Sequence, residues 1–165
     1  MYNAYTIRPY KKGEEQYVAD EHRNVYLEEY NWGPIFGDYA ASVAYNFALT
    51  QKKSREELWI AEIQGILTGC IMLSETENSE IGQLRLFLVD KKYRKNGVGT
   101  ALTNALMNKA QACKYKKLIL WTADVLIEAR QHYSTMGFTC AESISNNVWD
   151  LSGKTIYEEK WEMNI

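Results

Sequence analysis

Cysteine, proline and long apolar runs are scarce in this chain, and neither sign of charge dominates. Each scarcity excludes something. No apolar run approaches the roughly 20 residues that a membrane-spanning helix needs, so no membrane segment is expected. The opening Met1–Lys12 lacks the apolar core of a secretory leader. The three cysteines, Cys70, Cys113 and Cys140, lie far apart, with no Cys-x-x-Cys pair and no Cys/His spacing suited to a metal. No metal ion is expected, and each cysteine reads as a small buried apolar residue. Their odd number, without a leader, points to a reducing cytoplasm. Lysine and arginine number 19 against 21 acidic residues, a net charge of −2. That leaves no basic footprint for nucleic acid over the whole surface. The two prolines, Pro9 and Pro34, read as stops for a strand and a helix.

What remains is an ordinary globular composition, 46% hydrophobic and 24% charged over 165 residues, read as one domain spanning 1–165. Tyr5–Tyr10 reads as a first strand. Gly13–Tyr30 reads as a helix with Val18, His22, Val25 and Glu29 on one stripe. A second helix, Asp38–Leu49, carries Ala41, Ala44 and Ala48 at helical spacing. Glu57–Gln64 and Ile66–Ser74 form a hairpin about Gly65, and Ile81–Val89 is the next strand. The helix Val98–Cys113 reads as burying Val98, Leu102, Ala105, Leu106 and Ala110 and leaving Thr103, Asn104, Asn108 and Gln111 on its wet side. Lys117–Thr122 is almost continuously apolar, as a strand buried on both faces would be. Asp124 is placed to cap a helix Val125–Met136, and Gly137 to end it. Strands Thr139–Asp150 and Thr155–Met163 close the chain. The order β-α-α-β-β-β-α-β-α-β-β predicts an α+β fold. Strands Ile81–Val89 and Lys117–Thr122 would be parallel neighbours joined by a right-handed crossover, with antiparallel hairpins on either side.

The most informative stretch is Leu84–Lys109. A strand runs into a basic turn, Lys91-Lys92-Tyr93-Arg94-Lys95, then into Asn96-Gly97-Val98-Gly99-Thr100 and a helix. The first N–H groups of a helix have no partner inside it, and glycine lets an anion approach the backbone. A P-loop is excluded because Thr100-Ala101, not a Lys-Ser/Thr pair, follows Gly99. The dinucleotide fingerprint is excluded because Leu102 stands where its third glycine belongs.

Arg94-Lys95-Asn96-Gly97-Val98-Gly99 fits the pattern Arg/Gln-x-x-Gly-x-Gly/Ala. With its strand and helix, it resembles the acetyl-CoA site of the GNAT N-acetyltransferase superfamily. Ala129–Phe138, with Tyr133 and Gly137-Phe138, resembles that family's A-x-x-x-Y-x-x-x-G-F helix. Glu21-His22, Glu28–Trp32, Leu84-Arg85-Leu86, Leu120-Trp121-Thr122 and Trp161-Glu162 resemble the subgroup that also occurs fused behind MarR-type DNA-binding domains.

The resemblance implies a GNAT fold in α/β/α layers, with a mostly antiparallel sheet and a splayed central parallel pair. It implies acetyl-CoA as co-substrate and a small-molecule or peptide amine as acceptor. Lys95 through Thr100, thus Lys95, Asn96, Gly97, Val98, Gly99 and Thr100, would cradle the pyrophosphate, with Arg94 adding charge. Phe87, Leu88 and Val89 would line the pantetheine arm through their backbone. A backbone N–H near Leu88 or Val89 would serve the oxyanion. Tyr133, whose unperturbed pKa is about 10, would be the acid at the leaving thiol. Gln83 stands near the position where the family often has a glutamate base. For the base the residues leave Glu21, His22 and water open, with Glu21 preferred and His22 suited by its titration near neutrality. Arg85, read as sharing a strand face with Gln83, Phe87 and Val89, would bind an acidic part of the acceptor or pair with Glu75 or another acid. Trp32, Trp59 and Trp121 would line the acceptor pocket or sit in the core. Leu126 stands where the family commonly has an asparagine, so its contact falls to Thr122 or Asp124 or is absent. A non-catalytic acyl-CoA sensor is the alternative function, and the strand-rich C-terminus offers a surface for a homodimer.

Overall fold

The computed structural model describes residues 4–50 and 54–165. Residues 1–3 and 51–53, part of the single-domain reading, lie outside the described residues. The elements run β1 (Tyr5–Pro9), α1 (Glu15–Tyr30), α2 (Pro34–Leu49), β2 (Glu57–Ile63), β3 (Ile66–Glu75), β4 (Ile81–Val89), α3 (Val98–Ala112), β5 (Lys117–Ala123), α4 (Ile127–Met136), β6 (Thr139–Asn146) and β7 (Ile156–Asn164). A single 3-10 turn, Lys91–Tyr93, links β4 to α3. The element order is the one expected from the sequence.

Seven strands form one sheet in the order β1-β2-β3-β4-β5-β7-β6. Every neighbouring pair is antiparallel except β4 and β5. Helices α1 and α2 pack on one face, where Val18, Val43, Ala44 and Phe47 meet Leu58, Ile60, Cys70, Met72 and Leu88. Helices α3 and α4 cover the other face, where Val98, Leu102, Leu106 and Tyr133 meet Ile71, Leu73, Leu84, Leu118 and Leu120. The sheet thus lies between two helical layers, each burying one apolar stripe.

The turn chemistry follows the sequence. Gln64 (φ 51°) and Gly65 (φ 81°) make the tight β2–β3 turn, both with positive φ as the strand twist favours. Gly137 ends α4 at φ 104°, and the next N–H, of Phe138, closes onto the Tyr133 carbonyl at 3.0 Å.

Several details differ from expectation. Helix α2 starts at Pro34 rather than Asp38, because proline at the first helical position loses no hydrogen bond. Helix α4 starts at Ile127, behind an uncapped Leu126. Asp124 is not its cap, because its carboxylate accepts the Tyr157 N–H at 3.0 Å. Strand β6 stops at Asn146, whose side-chain oxygen turns the chain by accepting the N–H groups of Val148 and Trp149. Strand β5 is not buried on both faces: Leu118 and Leu120 are sealed, but Trp121 is 41% exposed because its face meets a cavity.

Strand β4 carries a bulge. Leu86 holds φ at 51°, and the register steps from Met72↔Arg85 to Cys70↔Leu88, so Leu86 and Phe87 together oppose Ile71. The Cys70 thiol donates to the Leu86 carbonyl at 3.1 Å. Gly69 lies beside this kink, and a Cβ there would meet the Leu88 carbonyl oxygen at 2.8 Å. Since backbone must yield, Gly69→Ala is expected to cost about 1–3 kcal/mol, read by urea denaturation against the parent chain.

Candidate active site

Strands β4 and β5 pair only through Ile81↔Lys117, Gly82↔Leu118 and Gln83↔Ile119. Beyond Gln83 they part, and two cavities open at the wedge. The narrower, about 190 Å³, runs between Phe87, Leu88 and Val89 of β4, Tyr26 and Glu29 of α1, and Ala129 and His132 of α4, to Arg94, Lys95 and Gly99. The wider, about 540 Å³, lies against α1 and α2 and takes in His22, Trp32, Gln83, Arg85, Trp121 and Tyr133. Tyr26, Phe87, Leu126 and Ala129 line both.

The bulge corrects one expectation. Simple alternation puts Arg85, Phe87 and Val89 on one face of β4. With an extra residue at Leu86, the phase changes. Gln83 and Arg85 line the wide cavity, whereas Phe87 and Val89 pack with the α3 cluster, and both rings and methyls reach toward Gly99. Leu88 turns to the α1/α2 side.

The turn before α3 forms a concave run of N–H groups. Lys95 (φ 62°) and Gly97 (φ 84°) are left-handed, and α3 opens without a side-chain cap. Its first internal bond is Ala101 N–H to Gly97 O at 3.0 Å. The N–H groups of Val98, Gly99 and Thr100 therefore have no acceptor within the helix. A Cβ on Gly99 would touch Phe87 at 3.4 Å, so the small residue keeps this corner open. Together these features make an anion cradle that fits a pyrophosphate. Lys95, Asn96 and Thr100 are exposed there, and the Asn96 amide donates to the Arg94 carbonyl.

Arg94 is engaged by the protein itself. Its two terminal nitrogens grip both Glu29 oxygens at 2.7 Å each, and its Nε donates to the Val89 carbonyl at 2.9 Å. This bidentate pair holds the Glu29 carboxyl below its ordinary pKa range, chiefly through the Arg94 hydrogen bonds. The guanidinium fastens the end of β4 to α1, and the unengaged positive charge near the cradle comes from Lys95, with Lys91 and Lys92 exposed on the preceding turn.

Tyr133 is buried against Phe87 and Phe138, and burial pushes its hydroxyl pKa up, so it keeps its proton at neutral pH. His22 is also buried. Its Nδ1 lies 2.7 Å from the Val18 carbonyl, which can only accept, so Nδ1 carries the hydrogen and Nε2 is an acceptor. Burial pulls the His22 pKa down to about 4, which makes it neutral at pH 7. Glu21, the preferred base, lines neither of these two cavities, and the structure does not bring it to Tyr133. Burial and the nearby Asp90 push its pKa up. Trp121 is a wall of the wide cavity. Trp32 is both wall and core: 2% exposed, it packs against Tyr26, Phe36 and Trp149. Trp59 is core alone, in the α3-side cluster.

A family model described as "Acetyltransferase (GNAT) domain" matches residues 34–149. The chain belongs to the GNAT acetyltransferase family. It is 30% identical over 80 residues to an N-acetylaspartate synthetase from Xenopus tropicalis, covering 48% of this chain and 30% of that protein. It is 23% identical over 144 residues to an uncharacterized N-acetyltransferase from Methanocaldococcus jannaschii, covering 84% and 62%. The chain therefore spans about a third to two thirds of these curated relatives. In fold it is similar to a GNAT acetyltransferase from Staphylococcus aureus Mu50, with a TM-score of 0.81, 20% identity and coverage of 98% and 99%. It is also similar to yncA from Salmonella typhimurium, solved with acetyl-CoA, with a TM-score of 0.76, 15% identity and coverage of 98% and 94%. These likenesses fix the GNAT fold: a mixed seven-stranded sheet with one parallel pair.

Several residues around this GNAT cleft escaped sequence reasoning. Glu29 lies on the α1 stripe, and nothing in the sequence points to Arg94, 65 positions away. Tyr39, which receives the Arg85 guanidinium at 2.9 Å, lies in α2 with no motif around it. His132 lines the narrow cavity and meets Thr103 at 3.3 Å, so Thr103 is buried and not on a wet side. Its position next to Tyr133 was the one available signal. Among the described residues, no group of three His, Cys, Asp or Glu could hold a metal, and no helix is long and apolar enough to cross a membrane.

The buried imidazole yields a pH prediction. The folded pKa of His22 lies below its unfolded value, so the unfolded chain takes up the proton first as pH falls. The contribution is whole above pH ~6.5 and is lost on acidification toward pH ~4, by roughly 3 kcal/mol at full effect. Urea titrations across this range should show a steeper acid loss for the parent chain than for His22→Gln.

Proposed function

We propose that this GNAT domain, read as one unit over 1–165, transfers an acetyl group from acetyl-CoA to a primary amine by direct attack in a ternary complex. The observation that carries this reading is the meeting of two cavities at the β4/β5 wedge, one leading to the anion cradle and the other lined by Tyr133. Acetyl-CoA, when bound, supplies an activated acetyl thioester. Lys95–Thr100 hold its pyrophosphate through backbone N–H groups, with Lys95 adding charge. Arg94 serves the same site by clamping the turn to Glu29.

Phe87, Leu88 and Val89 present backbone along the wedge. N–H directions alternate along a strand. The Asp90 N–H bonds to the Thr68 carbonyl of β3 and Leu88 lies opposite Cys70, so by alternation the Val89 N–H turns away from β3 and would serve the oxyanion. Tyr133 gives its proton to the departing thiolate. His22 offers Nε2 to an N–H of the amine and orients its lone pair, while the amine proton passes to water. Its depressed pKa suits it to accepting a hydrogen bond more than to holding the proton. Arg85, Trp32 and Trp121 contact the acceptor.

The motifs between Glu21 and Trp161 support a place in the branch that also occurs behind MarR-type domains. The three free thiols suit a cytoplasmic setting. A homodimer would pair through the exposed edge strand β6.

A second reading, an acyl-CoA sensor without turnover, draws on Gln83, an amide in the acceptor cavity where a carboxylate is common in the family. Tyr133→Phe separates the two. The transferase reading expects acetyl-CoA affinity by calorimetry to be kept while the rate of free-thiol release drops ~10²–10⁴-fold. Absence of thiol release from the parent chain with every amine tried favours the sensor.

A further inference from the structure

We infer that the acceptor is a free amino acid with an apolar or aromatic side chain, bound through its carboxylate to Arg85. The inference rests on the transferase reading and concerns the wide cavity, whose volume of about 540 Å³ lies within the usual range for small-molecule sites, roughly 300–1,000 Å³.

Two charged side chains line this cavity, Arg85 on β4 and Glu158 on β7. Both are half-buried, and neither is neutralised by an ion pair among the described residues. Arg85 makes one side-chain hydrogen bond, Nη2 to the Tyr39 hydroxyl at 2.9 Å, and retains further donors. Glu158 accepts from the Asn146 amide at 3.0 Å. A guanidinium taken partly out of water without a carboxylate is costly unless an anion joins it. A planar carboxylate is the anion that its fork fits. The Tyr39 hydroxyl, on the lining of the same cavity, accepts from the Arg85 guanidinium and helps fix its place without cancelling its charge.

Glu158 pairs with Ala123 and Ile144 in the sheet, and Ile144 also lines the cavity. It adds one negative charge to the lining, which attracts a protonated amine to the cavity before the proton leaves. Thr122 adds a polar handle: it is 7% exposed, lines the cavity, and its Oγ1 has no hydrogen-bond partner among the described residues. Trp32, Phe36 and Trp121 supply flat apolar walls. One cation, one anion and aromatic walls match a zwitterion with an apolar body. A polyamine or an amino sugar with several ammonium groups would need several carboxylates, which this lining does not offer.

The test compares phenylalanine, leucine and tryptophan with their amides and with the amines lacking the carboxylate. Thiol release with acetyl-CoA and binding by calorimetry with CoA present are read separately. Each acid should be preferred over its amide and amine by roughly tenfold or more, the weight of a charged hydrogen-bonded pair. Arg85→Gln should abolish that preference, with the acids losing more binding and thiol release than their amides and amines. Tyr39→Phe, which keeps the charge but frees the guanidinium, should reduce it part-way, and thermal unfolding verifies that both variants fold. Amides or amines that match the acids, a loss in Arg85→Gln that is equal for all three classes, or no binding of any of the amino acids would each overturn the inference. Preferential binding of the acids without thiol release would support this pocket assignment and count against turnover.

Discussion

Leu86 keeps a left-handed backbone that costs a side chain of its kind about 1–2 kcal/mol. It does so because β4 passes two residues where β3 passes one. That extra residue divides β4 into two halves with opposite facing. Before it, Gln83 and Arg85 look into the space under α1 and α2. After it, Phe87 and Val89 look toward α3 and the glycine turn. An unbroken strand would give Arg85 and Phe87 one face, whereas here Arg85 lines only the wide cavity and Phe87 belongs to the wall shared by both. From the neighbouring strand the Cys70 thiol bonds to the kink, and Gly69, lacking a Cβ, lets the Leu88 carbonyl approach.

The second constraint is electrostatic. The turn from β4 to α3 gathers four cations in five residues, yet the guanidinium among them is committed to Glu29 and to the Val89 carbonyl. What this secures is position. The anion cradle is built from N–H groups of a flexible-looking glycine turn, and such groups attract a phosphate well only when they converge. Arg94 ties the turn both to the strand that ends at Val89 and to α1.

Much of this was legible in the sequence, and the exceptions share a cause. The glycine turn, the α3 stripe, the terminator Gly137 and the parallel β4/β5 pair follow from local pattern and connection rules, and all appear as read. The phase of Phe87 is hidden in the sequence because a bulge depends on the partner strand, whose register a single sequence does not display. Pro34 carries a breaker's signature yet starts α2, because stop and start signals for helices overlap at proline. Asp124 looked like a helix cap, but the Tyr157 N–H, 33 positions away, takes its carboxylate. Glu21 and His22 are adjacent on α1, and a turn of about 100° per residue put His22 into a cavity and left Glu21 outside both. The site's long-range partners, Glu29 for Arg94 and Tyr39 for Arg85, carry no motif at all.

Tyr26, Phe87, Leu126 and Ala129 form a common wall between the two cavities. A wall packed from both sides cannot respond to one occupant without altering the surface offered to the other. Any free energy by which a molecule in the narrow cavity reshapes that wall is returned in full as a change in affinity in the wide one, and the factor is the same in either direction. Order of addition can then govern the path to the ternary complex but not its final stability.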